Sequence, residues 1–234
     1  MKNPKIGIIF ILYKTPREEV KRLESEIKAL KFKKYKIYFI DNTSDNSGYA
    51  GGINEGIKKA LIDDCQLFIV ANPDISLKNL SGDEMLEGGE HFDIWGLAMK
   101  QDKKIYYGGE IDRWRMSGGL LAKKPNERFA EVDFVSGSLM FIKKEVVDTI
   151  GNWDERFFVY YEDVDYCYRA RKAGLKVGID QLLRYGHFEL SQANPDKKFI
   201  LEKARVQFLL KQGGWRQKIY EIVRIPKTIY EYFS

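Results

Sequence analysis

The 234-residue sequence predicts an α/β fold: a mixed, mainly parallel sheet flanked by helices, with a C-terminal helical tail. Three observations carry that expectation. Short β-branched runs alternate with segments of helical period through the first half. Each run stops in a polar, turn-forming cluster. From about Lys197 the apolar spacing becomes helical and stays so.

Taken in order, Ile6–Leu12 is a continuous apolar run, as a strand buried on both faces should be. Arg17–Leu30 places Val20, Leu23, Ile27 and Leu30 at helical spacing with charges between them. Tyr35–Ile40 reads as a second strand ending at Asp41, Gly56–Ile62 as a helix, and Leu67–Val70 as a third strand that stops at Ala71-Asn72-Pro73-Asp74. Strand–helix–strand–helix–strand at this spacing implies parallel strands with right-handed crossovers. Leu77–Ala130 is glycine-rich, with short strand-like pieces such as Lys104–Tyr107, and reads as strands and loops of a mixed sheet. Phe134–Lys143 is expected as one strand, Lys144–Ile150 as a short helix closed by Gly151, and Val177–Tyr185 as a strand leading to Gly186-His187. In the tail, Ile200, Leu201, Ala204, Phe208 and Leu209 form one helical stripe. Trp215–Phe233 carries Ile219, Ile222, Val223, Ile229, Tyr230 and Phe233 with Arg216, Lys218, Arg224 and Lys227 between them. Pro226 is expected to bend or split that helix.

Hydrophobic content of 44% and charged content of 31% suit an ordered globular chain. A net charge of +5 is compatible with an anionic small molecule or a phospholipid surface and is too mild to indicate nucleic acid. Cys65 and Cys167 fit no metal spacing and no disulfide framework, which favours a reducing compartment. The apolar run near the N-terminus lacks a small-residue cleavage site and is far shorter than the roughly 20 residues that span a bilayer. A cytoplasmic protein is expected.

Ligands in parallel sheets bind beyond the carboxyl ends of the strands. Those ends here are Tyr13-Lys14, Asp41-Asn42 and Asn72-Pro73-Asp74. Asp41 opens a polar loop running to Gly48, in the place where an acidic side chain can accept hydrogen bonds from a base or ribose; the same residues also make ordinary turns. The glycines of Gly48-Tyr49-Ala50-Gly51-Gly52-Ile53-Asn54 precede the expected helix, where backbone can approach a phosphate. They match neither GxGxxG nor a Walker A pattern. Asn72-Pro73-Asp74 can supply a carboxylate to Mg²⁺ or Mn²⁺, or can be a proline turn. Finally, FFVYYEDVDYCYRARKAG sets Glu162, Asp163 and Asp165 among aromatics. Carboxylates in such surroundings are paired, bind cations or do chemistry.

The order IIFILYK, IDNTSDNSGYAGGINEGI, IVANPDI, FVSGSLMFIKKEVVDTIGNWDERFFVYYEDVDYCYRARKAG and RYGH resembles the family 2 glycosyltransferases of GT-A fold over about Ile6–His187. It is most similar to the rhamnosyltransferase-like and galactofuranosyltransferase-like branch that builds bacterial surface polysaccharides. The resemblance implies a transferase domain over 1–196, with a nucleotide-sugar half to about residue 100 and an acceptor half beyond it, followed by the tail at 197–234. It implies that Tyr13 and Asp41 hold the nucleobase and ribose, that Gly51, Gly52 and Asn54 line the same pocket, and that Asn72 also binds the nucleotide sugar. The family's Asp-x-Asp motif stands here as Asn72-Pro73-Asp74, so Asp74 and His187 become the candidate ligands of a divalent cation, Mg²⁺ or Mn²⁺. Lys14 replaces a common asparagine and either approaches the diphosphate or faces solvent. The resemblance makes Asp163 the general base supported by Glu162, with Ser136, Gly137, Trp153, Asp154 and Tyr161 on the acceptor side.

The implied donor is a dTDP- or UDP-linked sugar, and the implied acceptor a glycan or lipid-linked saccharide. If Asp163 opens a helix running to Lys172, the helix dipole favours its ionised form, and Asp165 and Arg169 form a structural i, i+4 pair. The tail suits three roles: contact with the inner membrane face, a homodimer interface, or packing on its own domain. A sugar nucleotidyltransferase is the rival enzyme class, but Tyr13-Lys14-Thr15-Pro16-Arg17 is not its glycine-rich basic loop. A degenerate domain that binds nucleotide or sugar without turnover is the non-enzymatic rival.

Overall fold

The structure, a computed structural model, describes residues 4–188 and 196–233, with side chains placed to residue 226. Its centre is a nine-stranded sheet in the order β2-β1-β3-β10-β5-β11-β4, with β6 added to β5 and β9 to β11. The first three strands, β1 (Ile6–Leu12), β2 (Tyr35–Asp41) and β3 (Leu67–Ala71), are mutually parallel. Beside them β10 (Leu139–Lys143) runs antiparallel between β3 and β5 (Ile94–Gln101). β11 (Val177–His187) is parallel to β5 and antiparallel to the short β4 (Ile75–Ser76). The remaining strands are β6 (Lys104–Tyr106), β9 (Phe129–Glu131) and a separate hairpin of β7 (Gly109–Asp112) and β8 (Ser117–Leu120). The mixed, mainly parallel sheet expected from the sequence is the one observed, with β1, β2, β3, β5 and β11 running in one direction.

The continuous apolar run of β1 has a direct explanation. Successive side chains alternate between faces, so Ile9 and Ile11 join one core while Ile6, Ile8 and Phe10 join the other. On the first face lie α2 (Gly48–Ile62), α4 (Lys144–Ile150), α5 (Glu162–Lys172) and α6 (Lys197–Gln212). On the second lie α1 (Arg17–Ala29) and α3 (Gly82–Leu86). A strand with a helical layer on either side has no solvent face, so no polar alternation appears in its sequence.

Three expectations change. The helix after β2 starts at Gly48 rather than Gly56, so Gly51 and Gly52 lie inside it and not in a turn before it. Close packing is the reason: a Cβ on Gly52 would come within 2.8 Å of Ile11 Cγ2, and one on Gly56 within 2.3 Å of Ile9 Cγ2. Phe134–Lys143 is not one strand, since only Leu139–Lys143 pairs in the sheet. Phe134 instead covers Gly109, where a Cβ would meet its ring at 2.2 Å. In the tail, α7 (Trp215–Phe233) continues through Pro226, and the side chains of Lys227, Ile229, Tyr230 and Phe233 lie outside the described residues. Of the roles open to the tail, α6 takes packing on its own domain: Ala204, Phe208 and Leu209 belong to the first core.

Candidate active site

Register brings the separated motifs to one edge of the sheet. Leu12 pairs with Asp41 and Phe10 with Ala71, so the carboxyl ends of β1, β2 and β3 lie side by side. Because β10 is antiparallel, its start meets the end of β3: Leu139 pairs with Ala71, and the Asn72 N–H donates to the Ser138 carbonyl at 3.1 Å. At the far end of the sheet His187 pairs with Ile75, and the Phe188 N–H donates to the Asp74 carbonyl at 2.8 Å. Ser136-Gly137-Ser138, Asn72-Pro73-Asp74 and His187 therefore share a rim that their sequence positions do not reveal.

Helix α5 delivers its first residues to that rim. Tyr160 and Tyr161 both have φ of 67°, an uncommon conformation outside glycine, and the chain turns sharply through them into the helix. The carboxylate of Asp163 then accepts the Gly137 N–H at 2.9 Å on Oδ2 and the Val164 N–H at 2.8 Å on Oδ1. Tyr49, from the first turn of α2, donates its hydroxyl to the Gly137 carbonyl at 2.6 Å. Gly137 has no room to spare, for a Cβ there would lie 3.2 Å from Tyr49 Cε1 and 3.4 Å from Asp163 Cβ. Beside this group, Tyr185 and Ser138 hydroxyls meet at 2.6 Å, and Ser138 meets Ser136 at 2.9 Å.

The electrostatics separate the two adjacent carboxyls. Burial, and then the charge of Asp163, push Glu162 well above the usual carboxylate range. Its Oε2 is buried without a hydrogen-bond partner, as suits a neutral acid better than a carboxylate. Burial also raises Asp163, but its two backbone N–H bonds act the other way. Those bonds and the helix N-terminus select Asp163 as the ionised member of the pair. The result is a carboxylate of raised basicity at a rim that also carries Asp74.

Asp74 and His187 form the second cluster, with His187 Nε2 3.4 Å from Asp74 Oδ1. Both ring nitrogens of His187 are buried and lack a hydrogen-bond partner among the described residues. The carboxylate suits Mn²⁺ or Mg²⁺ that draws its other ligands from water and phosphate oxygens, and the imidazole beside it favours the transition metal of the two. The donor set thus fits a divalent cation that is shared with a ligand. No group of three or more His, Cys, Asp or Glu side chains among the described residues is arranged to hold a metal alone.

The remaining sequence candidates divide. Tyr13 is 51% exposed at the end of β1, with Lys14 Nζ 5.2 Å from its ring centroid. Asp41 is exposed and accepts the Thr43 N–H at 2.9 Å; the Thr43 hydroxyl, and then that N–H, hold its carboxyl below the usual range. Both stand at the strand ends where a ligand would approach. Asn54 has other work: its amide donates to the Trp153 carbonyl at 3.0 Å and Glu155 at 2.8 Å, and accepts the Trp153 N–H at 2.9 Å. It ties α2 to the segment before α5, and Gly51 and Gly52 serve the same helix.

Of the residues expected on the acceptor side, Trp153 is only 2% exposed and stacks on Tyr166 at 4.5 Å, so its ring is core rather than a sugar platform. Tyr161 is likewise buried, its hydroxyl accepting the Gly118 N–H at 3.1 Å. Asp154 is bound to Arg156 and Lys211, each at 2.6 Å, and the Arg156 hydrogen bonds hold its carboxyl far below the usual range. Asp165 is fully buried and pairs with Arg169 at 2.9 Å, as the i, i+4 spacing implied, and also with Lys211 and Gln212 of α6. Tyr49 and Tyr185 were not singled out in the sequence. Their only local signals are their places in GYAGG and RYGH.

Comparison with known proteins agrees with this architecture. Residues 105–179 match the family described as Glycosyltransferase like family 2. The low-salt glycan biosynthesis hexosyltransferase Agl10 of Haloferax volcanii is 28% identical over 76% of this chain and 65% of its own length. The N-acetylglucosaminyl-diphospho-decaprenol L-rhamnosyltransferase of Mycobacterium tuberculosis is 27% identical over 56% of this chain and 52% of its own. The chain thus spans 65% and 52% of the curated relatives it matches. Among solved structures, GalNAc-T7 with UDP, GalNAc and Mn²⁺ aligns at a TM-score of 0.60 and 14% identity, over 89% of this chain and 48% of that one. The catalytic domain of Drosophila β1,4-galactosyltransferase 7 aligns at 0.57 and 16%, over 82% and 74%. The fold is the GT-A fold, and the resemblance to family 2 glycosyltransferases is borne out.

Proposed function

We propose that this chain, a family 2 glycosyltransferase in its likeness and GT-A in its fold, moves a hexosyl group from a nucleoside-diphosphate sugar to a hydroxyl of a glycan or lipid-linked acceptor. One observation carries the reading. The Asp163 carboxyl is fixed by the Gly137 amide, on the rim that also carries Asp74 and His187. A base and a diphosphate-side cluster on one rim are what a displacement at an anomeric carbon requires.

The acceptor hydroxyl gives its proton to Asp163 as its oxygen attacks the anomeric carbon. The bond from that carbon to the diphosphate oxygen breaks on the opposite face, and the nucleoside diphosphate leaves with the electron pair. Direct displacement inverts the configuration. For Asp163 to act, the hydroxyl must lie within about 2.6–3.2 Å of it. Asp74 and His187 would hold a Mg²⁺ or Mn²⁺ ion, and that ion would offset the charge that develops on the diphosphate. Tyr13 and Asp41 would receive base and ribose, and Lys14 would stand at the same strand end. Ser136 and Gly137 would border the acceptor.

The relatives favour this class of chemistry, one being named for hexosyl transfer and another for L-rhamnosyl transfer to a diphospho-decaprenol carrier. The test is release of nucleoside diphosphate from UDP- and dTDP-linked hexoses in the presence of Mn²⁺ and lipid-linked saccharide acceptors, for wild type and Asp163→Asn. Turnover by wild type that is lost in the variant, with nucleotide binding retained, supports transfer. Binding without turnover in either protein supports the degenerate binding domain. No nucleotide binding overturns the proposal.

A further inference from the structure

Helix α7 is mounted on the domain with its polar side inward. Glu221, only 8% exposed, pairs with Arg205 of α6, itself 3% exposed, and lies 3.8 Å from Arg115 in the β7–β8 turn. Arg205 also holds Glu202 at 2.6 Å and the Arg115 carbonyl at 2.7 Å, and Gln217 reaches the Arg113 carbonyl at 3.3 Å. The opposite side of the helix bears Trp215 at 68% exposure, Ile219 at 52%, Ile222 at 64% and Val223 at 75%. At 100° per residue these four fall on one stripe. A helix stabilised only by its own domain would be expected to bury that stripe and leave the ion pairs in water.

We propose that α7 seats the protein on an anionic phospholipid surface, with the Trp215–Val223 stripe entering the headgroup region. The charges favour lipid over a second copy of the chain. Within 215–226 the cations are Arg216, Lys218 and Arg224, and the one acid, Glu221, is the residue spent on Arg205. Arg216 and Lys218 flank the stripe on its two sides, the arrangement of an interfacial helix. A two-fold contact centred on the stripe would set Arg216 and Lys218 of the two copies against one another, with no acid among residues 215–226 left to offset them. Tyr220 packs against Trp114 at 5.7 Å, which brings a further ring, 57% exposed, to the edge of the same helix. No helix among the described residues is long and apolar enough to cross a membrane, so the contact is lateral. The inference deepens the transferase reading by favouring a lipid-linked acceptor, but its test reads lipid binding and not turnover.

The experiment is co-sedimentation of the full chain with vesicles of phosphatidylcholine alone and of equimolar phosphatidylcholine and phosphatidylglycerol, with analytical ultracentrifugation of the lipid-free protein. Wild type is expected to bind the anionic vesicles and to be released by salt. I222E/V223E, both exposed positions, is expected to bind at least about tenfold more weakly, and R216E/K218E to lose the preference for phosphatidylglycerol. Nucleotide binding should be unchanged in both variants, which separates failure of this inference from failure of the transferase reading. Absence of vesicle binding by wild type overturns it. So does binding that survives I222E/V223E, or a wild-type dimer that those substitutions dissociate.

Discussion

The backbone N–H of Gly137 donates to Asp163 Oδ2 at 2.9 Å, joining the loop before β10 to the first turn of α5 across 26 residues of sequence. Tyr49 fixes the other side of the same peptide by donating to the Gly137 carbonyl at 2.6 Å. The candidate base is thus aimed through a peptide gripped from two elements. Removal of the Tyr49 hydroxyl should loosen the aim without touching a substrate. Tyr49→Phe is expected to lower kcat about tenfold, leave the donor KM near wild type and move the acid limb of the pH profile. An unchanged limb with a raised KM would assign Tyr49 to binding instead.

Asp163→Asn keeps the shape and removes the proton acceptor. A loss of about 10²–10⁴ in turnover is expected, with nucleotide binding intact by calorimetry. Because burial raises Asp163, the base is lost by protonation as pH falls through a value above the ordinary carboxylate range. The acid limb of the wild-type profile should therefore lie above about pH 4. A limb at or below that value would remove Asp163 from the role.

Glu162 supplies a stability test with a defined sign. Its carboxyl is raised well above the usual range, so between its unfolded and folded values the native state binds more protons than the unfolded chain. Its contribution is fully present below the unfolded value, about pH 4, and is lost as pH rises through the folded one. Relative to wild type, Glu162→Gln should gain melting temperature steadily as pH is raised from about 4. Parallel curves for the two proteins would show that Glu162 titrates as it does in the unfolded chain.

Asp165 tests how firmly α6 belongs to the domain. Its fully buried carboxylate faces Arg169, Lys211 and Gln212. Asp165→Asn leaves Arg169 and Lys211 without their shared counter-charge and should cost about 3–5 kcal/mol in chemical denaturation, the range for breaking a buried pair. A change below about 1 kcal/mol, the size of a surface pair, would mean that the ion pairs are open to solvent.

Calorimetric titration of UDP, dTDP and GDP with and without Mn²⁺ separates metal from protein in diphosphate binding. Asp74→Ala and His187→Ala should each remove most of the Mn²⁺-dependent affinity and leave the metal-free component alone. Metal-independent binding in wild type would shift that task to Lys14 and backbone amides.

Much of this was legible in the sequence because it rests on local pattern. The uninterrupted run of β1, the helical period of α1 and the polar strand ends each report a short-range property of the chain, and together they require a sheet covered on both faces. Asp163 at the head of a helix ending at Lys172, and the Asp165–Arg169 pair, follow from spacing along one helix. The glycines after Asp41 were visible too, but their reason was not. Glycine suits both a phosphate-binding turn and a helix pressed against a strand, and only the distances from Gly52 to Ile11 and Gly56 to Ile9 decide between them.

The tertiary structure decided what depends on pairings between distant segments. Trp153 and Tyr161 look like sugar platforms among their aromatic neighbours, but burial is set by what packs over a ring, here Tyr166 and α6. Asn54, Tyr49 and Tyr185 acquire their partners from residues 99, 88 and 47 positions away. The inverted mounting of α7 has the same origin. Its sequence shows an apolar stripe with basic flanks, and only the buried Arg205–Glu221 pair determines which side of the helix faces the protein. Periodicity fixes the angle between side chains on one element, while contacts across elements fix which of those side chains a substrate or a membrane can reach.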